Sequence, residues 1–243
     1  MKRLSVPVKN LVIEWRHKPN LAVYTKMDQI GIHFADNYPD WQRSPLTLEI
    51  RNKKSKRRFF MSYRRCFFEV IEPTDNDVGG ELDRARKLFD RFSGDLVISK
   101  LERVGIRQWA AFERDEPFNE VVRRANRKFQ PQDQRFVELL RGNVVDVGYV
   151  ADVRTEQGWN YRLHVGPMEK PQWFEIVPHE EGMFSSSEKL GEYRKAFPDR
   201  FLFVDIDCFK EDVAVSDLPA LVSEIRSTSS KIMTDLHKYY QED

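Results

Sequence analysis

In the run Phe201-Leu202-Phe203-Val204-Asp205-Ile206-Asp207-Cys208-Phe209-Lys210, two carboxylates stand two residues apart in otherwise apolar and aromatic company. Residues i and i+2 of a strand point the same way. Asp205 and Asp207 would therefore share a face with Phe201 and Phe203, while Leu202, Val204, Ile206 and Cys208 take the other. Two carboxylates so placed can grip Mg²⁺ together with substrate phosphates, the chemistry of a metal-dependent nucleotidyl-type enzyme. They can equally accept hydrogen bonds from arginine. Arg103 and Arg107 lie an even number of residues apart on a predicted strand and project from one face. They would neutralise Asp205 and Asp207 if the two strands are neighbours, and this structural pairing is the preferred expectation.

A second constellation is basic. Residues 51–65 hold Arg51, Lys53, Lys54, Lys56, Arg57, Arg58, Arg64 and Arg65 and no acid, with Phe59, Phe60 and Tyr63 interleaved. Such a hairpin can follow a phosphate backbone and stack bases, binding DNA or RNA. It can also dock on an acidic protein surface, including that of a second copy. A third use is protective: positive charge keeps an edge strand from pairing with another chain. Arg123, Arg124, Arg127 and Lys128 add a basic helical ridge, a pattern that usually marks a solvated face.

Other chemistries lack their parts. His17, His33, His164, His179 and His237 have no partner at metal-ligand spacing. Neither a phosphate-binding glycine loop nor a nucleophile elbow is present. Cys66 and Cys208 follow no redox or metal spacing and sit in strand-like surroundings, so buried free thiols in a reducing cytoplasm are expected. Lys2 and Arg3 are not followed by an apolar run, unlike a secretory leader. No stretch approaches the roughly 20 apolar residues of a membrane span. The formal net charge is +1, but it is polarised. Residues 1–128 hold 27 Lys/Arg against 18 Asp/Glu, and residues 171–243 hold 8 against 15. That layout suits docking to a charged partner.

Around these groups, periodicity predicts strands at 11–16, 46–50, 58–70 and 96–112, then at 144–153, 160–165, 173–177 and 201–209. Helices are expected over 23–37, with Tyr24, Met27, Ile30 and Phe34 inward, and over 79–92, with Leu82, Ala85, Leu88, Phe89 and Phe92 inward and Ser93-Gly94 as its C-cap. Further helices are expected at 119–129, 133–141 and 216–240, and residues 182–191 read as a loop. The fold class is α+β. Two similar blocks are expected, 1–115 and 116–243, each a mainly antiparallel sheet with helices on one face and a ferredoxin-like tendency.

Val204-Asp205-Ile206-Asp207-Cys208-Phe209-Lys210 resembles the metal-binding strand of diguanylate cyclases and related polymerase-palm domains, which implies Mg²⁺ on Asp205 and Asp207. The likeness ends after about ten residues. Those enzymes carry a Gly-Gly-Asp/Glu-Glu-Phe hairpin downstream, whereas the 36 residues after Asp207 read as one helix. Gly79-Gly80-Glu81-Leu82 lies upstream and opens a helix. The order of elements resembles a sporadically distributed prokaryotic family of two-block α+β proteins. That resemblance supplies no catalytic residues. It implies an accessory subunit beside an effector, in prokaryotic antiviral defence. The expectation is a non-catalytic binding subunit of a cytoplasmic multi-protein or nucleoprotein assembly, with no resident cofactor, protein partners and the 51–65 hairpin as contact surface.

Overall fold

A computed structural model describes residues 7–73, 78–129, 145–177 and 182–241. Strict alternation sets the centre of its sheet. Strand β1 (Val8–Arg16) buries Leu11, Ile13 and Trp15 on one face and turns Asn10, Val12 and Glu14 to the other. It is joined by β2 (Asp40–Arg43), β3 (Thr47–Asn52), β4 (Arg57–Ser62), β5 (Arg65–Ile71) and β6 (Lys100–Glu113), and then by β7 (Tyr149–Arg154), β8 (Asn160–Glu169) and β9 (Arg200–Ala214). These strands form one sheet in the order β2-β3-β4-β5-β1-β6-β9-β8-β7, antiparallel at every pairing.

The α+β class and the large antiparallel sheet are as expected. A ferredoxin-like unit places its first strand between its fourth and third, and β6-β1-β5-β4 has that order, with β2 and β3 added at the edge. The later strands run β6-β9-β8-β7, a different order. Strand β6 belongs to both halves. It pairs with β1 on one side and with β9 on the other, from Lys100↔Ala214 to Glu113↔Phe201.

Helices cover both faces, not one. On the first face lie α1 (Ala22–Phe34), α2 (Val78–Leu96), α3 (Phe118–Phe129) and the long α6 (Leu218–Gln241). Leu218, Leu221, Val222 and Ile225 of α6 join the core under β1 and β5, while Met233 and Tyr240 join the core under β9. At 24 residues, a span of about 36 Å, this helix crosses the seam between the halves. Among the described residues, the opposite face is covered at one end only, by α4 (Lys170–Ile176) and α5 (Ser187–Ala196) over Ile71, Ala111, Phe201 and Phe203. No helix among the described residues is long and apolar enough to cross a membrane.

Four local expectations need correction. The strand expected over 58–70 turns back at Tyr63-Arg64 and becomes β4 and β5. The strand expected at 173–177 is helix α4. Pro171 presets its first turn, and Gln172 Oε1 accepts from the Glu169 N–H at 2.7 Å in a capping box. The serine-rich loop at 182–191 contains the start of α5, because Ser186 Oγ accepts from the Lys189 N–H at 3.2 Å. Helix α2 passes Gly94 and stops at Leu96. Strand β2 had no clear signal in its four residues, and the helix expected at 133–141 lies outside the described residues.

The end of α2 carries a testable strain. Val97 N–H donates to Gly94 O at 3.3 Å and Ile98 N–H to Ser93 O at 2.9 Å, the paired bonds of a Schellman cap. The residue at C′ must then be left-handed, and Val97 has φ +55°. Glycine suits that position and a β-branched residue does not. Val97 is 87% exposed, so no packing compensates. Val97→Gly should raise stability by about 0.5–1 kcal/mol in urea denaturation, and a loss would show that the cap is not formed.

Candidate functional site

The face left open by α4 and α5 is organised in rows, because backbone register puts side chains of neighbouring strands opposite one another. One row crosses eight strands as Glu49, Phe60, Phe67, Glu14, Gly105, Phe209, Asn160 and Arg154. The next row is Arg51, Arg58, Glu69, Val12, Arg107, Asp207, Arg162 and Asp152. Aromatic rings dominate the middle of the first row, and alternating charge dominates the second.

Arg103 ties the centre together. Its guanidinium donates to Asp207 at 2.6 and 2.7 Å and also to Glu14, and it lies 4.2 Å from the Phe209 ring centroid. The reach from Arg103 on β6 to Asp207 on β9 passes over Gly105. A Cβ on Gly105 would sit 3.0 Å from Phe209 Cβ and 3.3 Å from Arg103 Cζ. Glycine is thus required for the arginine to lie flat on the sheet. Arg107 makes the second bidentate pair, to Asp205 at 2.6 and 2.9 Å, and lies over the Trp109 ring. The expected pairing of Arg103 and Arg107 with the two aspartates is therefore present, crosswise. Burial pushes the Asp207 carboxyl above its usual range, against the pull of Arg103. The hydrogen bond to Asp205 raises Arg107 further.

With both carboxylates clamped by guanidinium forks, Asp205 and Asp207 present no bare pair of oxygens to a cation. No cluster of three or more His, Cys, Asp or Glu side chains suited to a metal occurs among the described residues. Both thiols are buried, and burial pushes Cys208 up to about 12, far from a reactive thiolate.

The basic stretch 51–65 is spread over two strand pairs, so its side chains point to opposite faces. Arg51 pairs with Glu49 at 2.5 Å, and Arg58 bridges Glu49 and Glu69 on the open face. Arg57 turns inward to Glu81 of α2, with Nε–Oε2 2.7 Å. Lys56 reaches Glu72 at 2.8 Å and lies over Phe184 and Tyr193. Lys53 lies 4.0 Å from Asp40. Arg65 is 3.5 Å from Glu14 and spans the stacked Phe60–Phe67 pair. Lys54 and Arg64 are exposed, the latter over Tyr63. Phe59 is fully buried in the core under α1 and α2 and cannot touch a partner, a correction that follows from β-alternation with Phe60. The ridge on α3 lies elsewhere: Arg123 pairs with Glu120, and Arg124 and Lys128 lie over Tyr240 and Tyr239.

Sequence reasoning missed Glu14, Phe67, Gly105, Phe209, Arg162 and Asp152 as parts of this face. Alternation against the buried residues of each strand places them, but only the strand order brings them together. No family model matches the chain, and no curated protein is significantly similar to it.

The centre of the face should fail far more readily than its margin. The side chains of Arg103, Glu14 and Asp207 are 11%, 13% and 23% exposed. Arg103→Ala strips the poorly solvated Asp207 of its bidentate partner, leaves Glu14 with only the exposed Arg16 and Arg65, and should cost about 3–5 kcal/mol. Arg65→Ala, with a side chain 50% exposed, should cost about 0–1 kcal/mol. Urea denaturation measures both, and equal losses would remove Arg103 from its central role.

Proposed function

We propose that this chain is a non-catalytic binding subunit of a cytoplasmic assembly, and that it holds a protein partner on the open sheet face and the adjoining 51–65 strands. The observation that carries this reading is near-balance of charge. Arg16, Arg51, Arg58, Arg65, Arg103, Arg107, Arg154 and Arg162 face Glu14, Glu49, Glu69, Asp152, Asp205, Asp207 and Glu211. A nucleic-acid surface needs a strong net positive field to displace counterions, and eight cations against seven acids supply little of one. Mixed charge around half-buried aromatics suits a protein surface of complementary pattern, where the charges fix register and the rings supply contact area. The resemblance in element order to a sporadically distributed prokaryotic family supports looking for the partner beside an effector in prokaryotic antiviral defence.

A second reading, binding of DNA or RNA along the same strands, has one specific support. Arg65 lies over the Phe60–Phe67 stack, with Arg64 exposed in the adjoining turn. The metal-dependent nucleotidyl-type reading has no such support, since both aspartates are held by arginine.

Arg107 and Arg162 are the exposed cations at the centre of the charged row. In affinity purification with neighbouring gene products, the double variant Arg107→Glu/Arg162→Glu should lose the partner that the wild type retains. Lys189→Glu on α5 should retain it. Loss in neither variant would move the contact off this face. In fluorescence anisotropy with single-stranded DNA and RNA, the protein reading expects weak binding with little salt response. A fall of about 10³-fold in affinity between low and moderate salt would give the face to nucleic acid instead.

A further inference from the structure

On the opposite side of β4 from the open face, a cleft of about 490 Å³ lies between the end of α1, the turn after β3 and the outer face of α2. Its apolar wall is Phe34, Tyr38 and Leu88. Its polar wall is the 52–55 turn, where Asn52 Nδ2 donates to Asn37 O at 2.7 Å and Asn52 Oδ1 accepts from the Ser55 N–H at 3.0 Å. The remaining wall is cationic. Arg84, Lys87 and Arg91 reach the cleft from α2, and Arg57 from β4.

Positions 84, 87, 88 and 91 of α2 follow i, i+3, i+4 and i+7, so three cations and one leucine share a stripe. Asp83 and Asp90, four before and three after Lys87, flank that stripe. Here the described lining contains no carboxylate. Glu81, the acid beneath it, is 1% exposed and already engaged by Arg57 and Arg84. Burial pushes the Tyr38 phenol up to about 12, so it stays a neutral donor beside the cations.

We propose that this cleft binds a nucleoside phosphate carrying at least two phosphoryl charges, the ring against Phe34, Tyr38 and Leu88 and the phosphates between Lys87, Arg91 and Arg84. The volume lies within the range of small-molecule and cofactor sites, roughly 300–1,000 Å³. Apolar side chains beside cationic ones fit a ligand that is itself half ring and half anion. Arginine forks and a lysine point charge are the usual partners of phosphate oxygens. This site is separate from the sheet face, and its failure would leave the protein-binding reading untouched.

The test is isothermal titration of the full chain at low ionic strength with ADP, adenosine and inorganic pyrophosphate. ADP is expected to bind with Kd below about 1 mM, at least about tenfold tighter than adenosine or pyrophosphate. Lys87 is exposed and makes no ion pair among the described residues, so Lys87→Glu should fold normally, as an unchanged ligand-free melting temperature would verify. It should weaken ADP at least about tenfold, and Lys87→Ala should do so to a lesser degree. Binding of ADP that ignores both substitutions, or no binding of ADP, overturns the site. Pyrophosphate binding as tightly as ADP overturns the role given to the apolar wall.

Discussion

Arg103 stands where one guanidinium ties three central strands together. It starts on β6, crosses Gly105, and ends between Glu14 of β1 and Asp207 of β9 on the ring of Phe209. Those strands are the middle of the sheet, where the early and late parts of the chain meet. Each partner is largely shielded from water, so none can be removed without stranding the others. On the other face, α6 spans the same seam with apolar side chains. The join is therefore held by charge on one side and by hydrophobic burial on the other.

This arrangement explains why no helix among the described residues covers the rest of this face. A sheet face becomes a second core only if its outward residues are apolar, as Ile71, Ala111, Phe201 and Phe203 are under α4 and α5. Along the same strands, two to six residues further on, the outward positions become Glu69, Arg107, Asp205 and Asp207. Burying these under a helix would cost more in desolvation than their pairing could return. The boundary between covered and open sheet is thus written in the side chains of β5, β6 and β9.

Much of the layout is legible in the sequence, for a definite reason. Where one face of an element is buried, the periodicity is strong: Leu82, Ala85, Leu88, Phe89 and Phe92 of α2 all proved to be core. Where both faces are occupied, periodicity fades. The run from Arg58 to Val70 reads as one strand because the turn at Tyr63-Arg64 contains no glycine or proline to announce it. Trp173 to Val177 is apolar on two sides and reads as a strand, and only Pro171 and Gln172 betray the helix. The pairing of Arg103 and Arg107 with the aspartates could be foreseen from even spacing. Glu14 as the third partner could not, since nothing in the sequence says that β1 lies next to β6.

The same limit governs function. The basic stretch 51–65 looks like a polycation when read along the chain, yet the fold sets Glu49 of β3, Glu69 and Glu72 at the end of β5, and Glu81 of α2 against its charges. Linear charge density therefore overstates the field of this surface. The cleft on α2 is the reverse case. Its cations are diluted in the sequence by Asp83, Asp90 and Glu81, so no basic run appears, but helical geometry gathers Arg84, Lys87 and Arg91 on one stripe and the chain folds Arg57 in beside them. Fields that matter for recognition arise from what the fold leaves on one side of an element. In this molecule the fold neutralises the segment that looks most basic and concentrates positive charge where the sequence looks mixed.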